Sequence, residues 1–94
     1  MFEITSGDDG ALHLRGRLDA TQVDRAGQAL AEVKSSCVLD CRELDYISSA
    51  GLGLLFQHQK RLLGAGGGLT LVNLNPHLRE LFTIAGFDAV FRLG

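Results

Sequence analysis

The hydrophobic residues of this chain switch period along its length, from two to between three and four and back again, over and over. A period of two marks a strand with one buried face and a period near 3.6 marks a helix with one buried stripe, so the switches dictate which element follows which. Phe2 to Thr5 alternates as a short strand, Gly7 to Gly10 supplies a turn, and Ala11 to Arg15 resumes period two, which reads as a hairpin. Gly16, Arg17, Leu18 and Asp19 close it. From about Thr21, the residues Val23, Ala26, Leu30 and Val33 recur at helical steps, with Asp19 or Thr21 placed to cap the start and Lys34 among the last carbonyls.

Cys37 to Cys41 is a brief apolar run with polar flanks, as in a parallel strand covered by helices. A charged link, Arg42 to Asp45, leads through Tyr46 and Ile47 to a second helix, Ser49 to Leu63, on which Leu52, Leu55, Phe56, Gln59, Leu62 and Leu63 share a face. Gly64 is placed to stop that helix in the left-handed conformation, and Gly66 to Gly68 extend the loop. Leu69 to Leu74 is the next strand. Asn75 caps a third helix with Pro76 at its first position and Leu78, Leu81, Phe82 and Ile84 as its inner face. Gly86 ends it, and Ala89 to Leu93 is a last short strand.

The order β-β-α-β-α-β-α-β implies an α/β fold: a small, mostly parallel sheet with one antiparallel edge strand from the hairpin, with residues 1–94 forming a single domain. A chain of 94 residues that is 46% hydrophobic closes one core and has no room for a separate substrate lobe, so it works through a surface. Its 9 basic and 11 acidic side chains leave a net charge of −2, and one Tyr with no Trp offers few stacking platforms, which argues against nucleic acid. No apolar run approaches the roughly 18 residues of a membrane helix, and Met1 to Thr5 lacks the features of a signal peptide, so the expected location is cytoplasmic. Cys37 and Cys41, four apart on one strand, lie roughly 13 Å from each other on the same face. They are too distant for a disulfide and read as buried thiols. Three scattered histidines give no metal site, and no cofactor is expected.

Five of the 12 glycines fall in two short stretches. Gly66 to Gly68 follows a helix and precedes a strand, the reverse of a phosphate-cradling loop, and lacks that loop's Lys and Ser or Thr. It reads as a return loop. Gly51 and Gly53 sit in the productive order of strand, link, Ser48, Ser49, Ala50, Gly51, helix, where amides and the positive helix end can hold an anion and two hydroxyls stand at its position. A serine there also serves simply as a helix cap. No base lies near to activate it as a nucleophile: His58 is about two and a half turns down the helix and the Gly-x-Ser-x-Gly elbow is absent. Phe82, Phe87 and Phe91 read as core. An enzyme is not expected.

The run Val38, Leu39, Asp40, then Leu44, Asp45, Tyr46, Ile47, Ser48, Ser49, Ala50, Gly51, Leu52 resembles the signature of STAS domains, the sulfate transporter and anti-sigma factor antagonist family. Gly16 to Asp19 resembles that family's Gly-x-Leu-Asp at the end of the second strand. Asn75 to Glu80 resembles the start of its third helix, and Ala85 to Phe91 its closing segment. Together these pieces span essentially the whole chain in the family's order.

The resemblance implies a stand-alone anti-sigma factor antagonist. In such members a GHKL-type serine kinase, itself the anti-sigma factor, phosphorylates a serine at the start of the second helix. The unphosphorylated protein binds that partner and frees the sigma factor, phosphorylation blocks the binding, and a phosphatase reverses it. The family pattern Asp-Ser-Ser/Thr-Gly falls on Ser48, Ser49, Ala50, Gly51, which places the phosphoacceptor at Ser49, with Ser48 as the second candidate. Ser48 stands where the best-known members have Asp. Asp19, Ser48, Ser49, Ala50, Gly51 and Leu52 are the expected partner-binding residues, Leu52 being equally consistent with core packing. Arg17 and Asp45 are expected near the same rim, and Asp40 is expected to tie the strand end to the link before Ser48. A second reading is the STAS subunit of a lipid-transport ABC system, which contacts an ATPase and no sigma factor.

Overall fold

The computed structural model describes the chain from Met1 to Gly94. Its elements are β1 (Phe2–Ser6), β2 (Leu12–Leu18), a 3-10 turn (Ala20–Gln22), α1 (Val23–Ala31), β3 (Ser36–Ile47), α2 (Ser49–Gly64), β4 (Gly68–Val72), α3 (Pro76–Ile84), a second 3-10 turn (Phe87–Ala89) and β5 (Arg92–Leu93). The strands lie in the sheet in chain order. β1 is antiparallel to β2 and every later neighbour pair is parallel, the α/β arrangement expected from the sequence. Each crossover steps one place in the same direction, and right-handed crossovers then put α1, α2 and α3 on one face.

Leu14 and Leu18 of β2, Leu39, Cys41, Leu44 and Ile47 of β3, and Leu69 and Leu71 of β4 are buried beneath those helices. The opposite face is open and carries Glu3, His13, Arg15, Asp40, Arg42 and Glu43. β3 is thus covered by helices on one side only, and Val38, which was expected to be enclosed, is 40% exposed.

β3 also runs unbroken through the segment expected to be a charged link. Its pairing with β2 slips between His13 and Arg15 and again between Gly16 and Arg17. Each slip inserts one extra residue into β3 and reverses which side chains point inward. Two reversals bring Leu44 and Ile47 into the core and leave Arg42, Glu43 and Asp45 outside, so no simple alternation survives in the sequence.

The helix termini follow their capping residues with two corrections. Asp19 accepts the Thr21 N–H at 3.0 Å and the Thr21 hydroxyl at 2.6 Å, so it caps the 3-10 turn, while α1 begins at Val23 with no side-chain cap. At the other end of α1, Lys34 Nζ donates to the Ala31 carbonyl, and Arg61 of α2 donates to the carbonyls of Leu30 and Val33. α2 ends with the Gly67 N–H on the Leu62 carbonyl and the Gly66 N–H on the Leu63 carbonyl, and the left-handed residue is Gly66 at φ 85°, while Gly64 is still helical. α3 is capped as expected, Asn75 Oδ1 accepting the Leu78 N–H at 2.8 Å, and Gly86 closes it at φ 77°.

Ile84, expected on the inner face of α3, is 75% exposed because it lies about 200° around the helix from buried Phe82. The last strand is shorter than expected. Phe87 stacks on Phe56 with ring centroids 5.6 Å apart, and Phe82 and Phe91 meet edge to face, so residues 87–89 coil to seat the rings and only Arg92–Leu93 pairs with β4. Phe82 and Phe91 are core as expected, and Phe87 is half-buried.

One polar side chain is buried in this core. Gln59 of α2 accepts the Leu69 N–H at 2.6 Å and donates to the Val90 carbonyl at 2.8 Å, tying helix, β4 and the closing segment together. Cys37 and Cys41 are free thiols, and burial pushes the Cys41 thiol up to about 12. No helix is long and apolar enough to cross a membrane.

Candidate functional site

The candidate site forms where β2 and β3 end and α2 begins. The Ser48 N–H donates to the Leu18 carbonyl at 2.9 Å, which fixes the start of α2 against the end of β2. Ser48 has extended backbone, and its Oγ accepts the Gly51 N–H at 3.2 Å while its carbonyl accepts the Leu52 N–H at 2.9 Å. Ser48 is therefore the N-cap. Asp is an equally good residue for that role, so serine in place of the family's usual Asp preserves the cap.

Ser49 is the first helical residue and is exposed, and its hydroxyl makes no hydrogen bond within the chain. The amides of Ser49 and Ala50 are the first-turn donors left without an acceptor, since those of Gly51 and Leu52 are taken by Ser48. The two hydroxyls are thus divided: one is committed to structure and the other is presented to solvent beside two free N–H groups at the positive end of a helix of 16 residues.

The other expected residues divide in the same way. Ala50 is exposed and Leu52 is half-buried against the core. Gly51 is buried, and a Cβ there would lie 2.8 Å from Ile47 Cγ1 and 2.9 Å from both Leu18 Cγ and the Leu18 carbonyl oxygen. It lets α2 settle on β2 and offers no surface itself. Asp19 follows Leu18 directly and so begins beside Ser48, its carboxyl held below the usual carboxylate range first by the Thr21 hydroxyl. Arg17 stacks over Tyr46, 4.3 Å from the ring centroid, on the open face of the sheet.

Asp40 does not tie the strand end to Ser48. It lies in mid-strand on the open face, accepts from Asn73 Nδ2 at 3.1 Å and from the Arg42 N–H at 3.0 Å, and sits 3.5 Å from His13 Nδ1. The Asn73 amide is the main cause holding its carboxyl low. His13 also reaches Asp9, at 3.2 Å, so Asp9, His13, Asp40 and Asn73 form one chain of contacts across the open face. The sequence reading missed this network. The one trace of it is that His13 and Asp40 occupy outward positions of their strands.

The helix face that leads away from Ser49 is uncharged. From Ser49 to Gln59, α2 carries no Asp, Glu, Lys or Arg, and burial, aided by Arg61, lowers the pKa of His58 and favours its neutral form. Nothing lies within 4 Å of a Cβ built on Gly53, so the outer side of the first turns is low and open. The two roomiest clefts of the molecule, about 550 and 560 Å³, lie instead on the open face of the sheet. An exposed hydroxyl on an open helix face without charged side chains in its first turns suits the docking of another protein better than the enclosure of a small molecule.

Comparison with known proteins agrees with this architecture. A family model described as "Mlab, STAS domain" matches residues 2–93, and the chain belongs to the STAS domain family. It is 43% identical over 72 residues to BtrV of Bordetella bronchiseptica (strain ATCC BAA-588 / NCTC 13252 / RB50), which carries the name of an anti-sigma factor antagonist; the match covers 77% of this chain and 56% of BtrV's length. Among solved structures, the anti-sigma factor antagonist SpoIIAA superposes with a TM-score of 0.69 in its unphosphorylated form, over 100% of this chain and 87% of that one at 20% identity. Its Bacillus phosphorylated form gives 0.70, over 100% and 91% at 19% identity. A Thermotoga maritima protein described as an anti-sigma factor antagonist gives a TM-score of 0.80, over 99% of this chain and 85% of that one at 19% identity.

Proposed function

We propose that this chain is an anti-sigma factor antagonist that works in the cytoplasm by partner switching and carries out no catalysis of its own. In its unphosphorylated form it binds an anti-sigma factor that is also a GHKL-type serine kinase, which frees a sigma factor for transcription. Phosphorylation of Ser49 releases the kinase, and a phosphatase restores the binding form. The observation that carries this reading is the division of labour at the start of α2, where Ser48 is the cap and Ser49 is free. The likeness to BtrV supports the choice of partner class.

The electrostatics favour a switch of this kind. A phosphoryl group adds about 1.5 to 2 negative charges. On this chain it meets the free amides of Ser49 and Ala50 and the positive helix end, so the modified domain stays folded. The helix face around it carries no other charge, so the phosphate alone changes what a partner must desolvate. A partner surface fitted to a neutral hydroxyl would have to bury the phosphate unpaired, and an unpaired ionised group costs more than the roughly 2–7 kcal/mol of a neutral polar one.

The test compares affinity for the cognate kinase among wild type, Ser49→Ala and Ser49→Asp. Ser49→Ala is expected to bind as wild type does, and Ser49→Asp at least tenfold more weakly. Equal binding by Ser49→Asp would remove the charge argument. A second reading keeps the same surface and changes the partner: the family model that matches carries the Mlab description, and recovery of a lipid-transport ATPase with this chain, in place of a kinase, would favour it.

A further inference from the structure

β1 has a neighbour on one side only. Which of its backbone groups face outward follows from two hydrogen bonds, Arg17 N–H to the Met1 carbonyl and Gly7 N–H to the Ala11 carbonyl, both 2.9 Å. They mark Met1/Arg17 and Gly7/Ala11 as hydrogen-bonded pairs. The register between them, from Phe2↔Gly16 to Ser6↔Leu12, is unbroken, and in an antiparallel ladder such pairs alternate. Glu3 and Thr5 therefore bond to β2, while the N–H and C=O groups of Phe2, Ile4 and Ser6 point away from it. Phe2–Ser6 contains no proline, no bulge and no lysine to blunt this edge.

We propose that this edge pairs with the same edge of a second copy of the chain, antiparallel about a two-fold axis at Ile4. Centred there, Ile4 faces the second copy's Ile4 and Phe2 faces its Ser6. Each of these pairs is of the hydrogen-bonded type, so every outward donor and acceptor of the edge is used. On the open face of the sheet Glu3 falls opposite the second copy's Thr5, so like charges never meet. On the helix face the paired Ile4 side chains adjoin a cleft of about 390 Å³ of mixed lining, whose apolar part is Ile4, Leu12, Ala29, Val33 and Cys37, and extend that part. No other register centred within β1 satisfies all of these conditions: an axis at Glu3 sets Glu3 against itself, and one at Thr5 sets Phe2 beyond the end of the second copy's strand, so its outward groups stay unpaired. α2 makes its main sheet contacts with β3 and β4, and Ser49 at its start lies by the end of β2, one strand in from this edge.

Sedimentation equilibrium and amide hydrogen exchange of the whole chain, from micromolar to millimolar concentration, test the pairing. The mass is expected to climb from 10.1 kDa toward twice that value. In parallel, the amides of Phe2, Ile4 and Ser6 gain protection with concentration, while those of Glu3 and Thr5 are protected throughout. Thr5 is exposed, so its variants leave the fold intact: Thr5→Glu, opposed to Glu3, weakens association by roughly fivefold and Thr5→Lys strengthens it by a similar factor. A mass that stays at 10.1 kDa at millimolar concentration overturns the proposal. So does a dimer in which Phe2, Ile4 and Ser6 remain unprotected, or one that ignores both Thr5 variants.

Discussion

Gly51 and Gly53 lie two residues apart in α2, and their replacement by alanine should move stability in opposite directions. In a helix, alanine is favoured over glycine by roughly 0.5–1 kcal/mol. At Gly53 nothing lies within 4 Å of the new methyl group, so Gly53→Ala should gain about that much. At Gly51 the methyl would lie 2.9 Å from the Leu18 carbonyl oxygen and 2.8 Å from Ile47 Cγ1. The first of these is backbone and cannot rotate away, and it is also the acceptor for the Ser48 N–H. Overpacking of this kind costs about 1–3 kcal/mol, which leaves Gly51→Ala roughly 0.5–2 kcal/mol less stable than wild type after the propensity gain. Urea unfolding of the two variants beside wild type measures this directly. At about 4–8 °C per kcal/mol for a domain of this size, thermal melts should separate the two variants by several degrees at least. Equal stability of Gly51→Ala and Gly53→Ala would show that α2 does not depend on close contact with β2.

Other outcomes follow from single contacts. Ser48→Ala should cost about 1 kcal/mol in urea unfolding, while Ser48→Asp should hold within a few tenths of wild type; a costly Asp would mean the cap is not what this position supplies. Gln59→Leu leaves the Leu69 N–H and the Val90 carbonyl buried without partners and should cost about 2–4 kcal/mol, whereas a change below about 0.5 kcal/mol would show that they are satisfied otherwise. The folded carboxyls of Asp9, Asp19 and Asp40 titrate below their ordinary range, so the stability they contribute is present above about pH 3.9 and is lost as pH falls below it. Asp40→Asn should flatten that acid limb, and an unaltered limb would contradict the assignment. Cys41 is neutral in the folded chain up to about 12, while an unfolded thiol ionises near about 8.5, so stability should fall with rising pH through that window and labelling of Cys41 should wait on unfolding. Rapid labelling of Cys41 under native conditions would contradict its burial.

Much of this molecule was legible in the chain because its elements are short and their caps are written in side chains. Asn75-Pro76 opens α3, and the helix face of Leu55, Gln59 and Leu62 is buried where periodicity puts it. What was hidden depends on contacts between distant segments. The slips in β3 are set by its register with β2, and they turned a continuous strand into what looked like a charged link. Gly51 reads equally as a docking surface or a close contact until Leu18 is placed beneath it. The same holds at the site itself: the sequence presents two adjacent serines, and only the backbone conformation at Ser48 assigns one to the cap and leaves the other free.

The central claim is that Ser49, and not its neighbour, receives a phosphate. The most direct measurement is to incubate the whole chain with its cognate kinase and ATP and to locate the modification by fragment mass spectrometry. The phosphate is expected on Ser49 alone, and Ser49→Ala is expected to take up none. Phosphate on Ser48 would contradict the assignment of that hydroxyl to the helix cap, and no incorporation at either residue would contradict the switch.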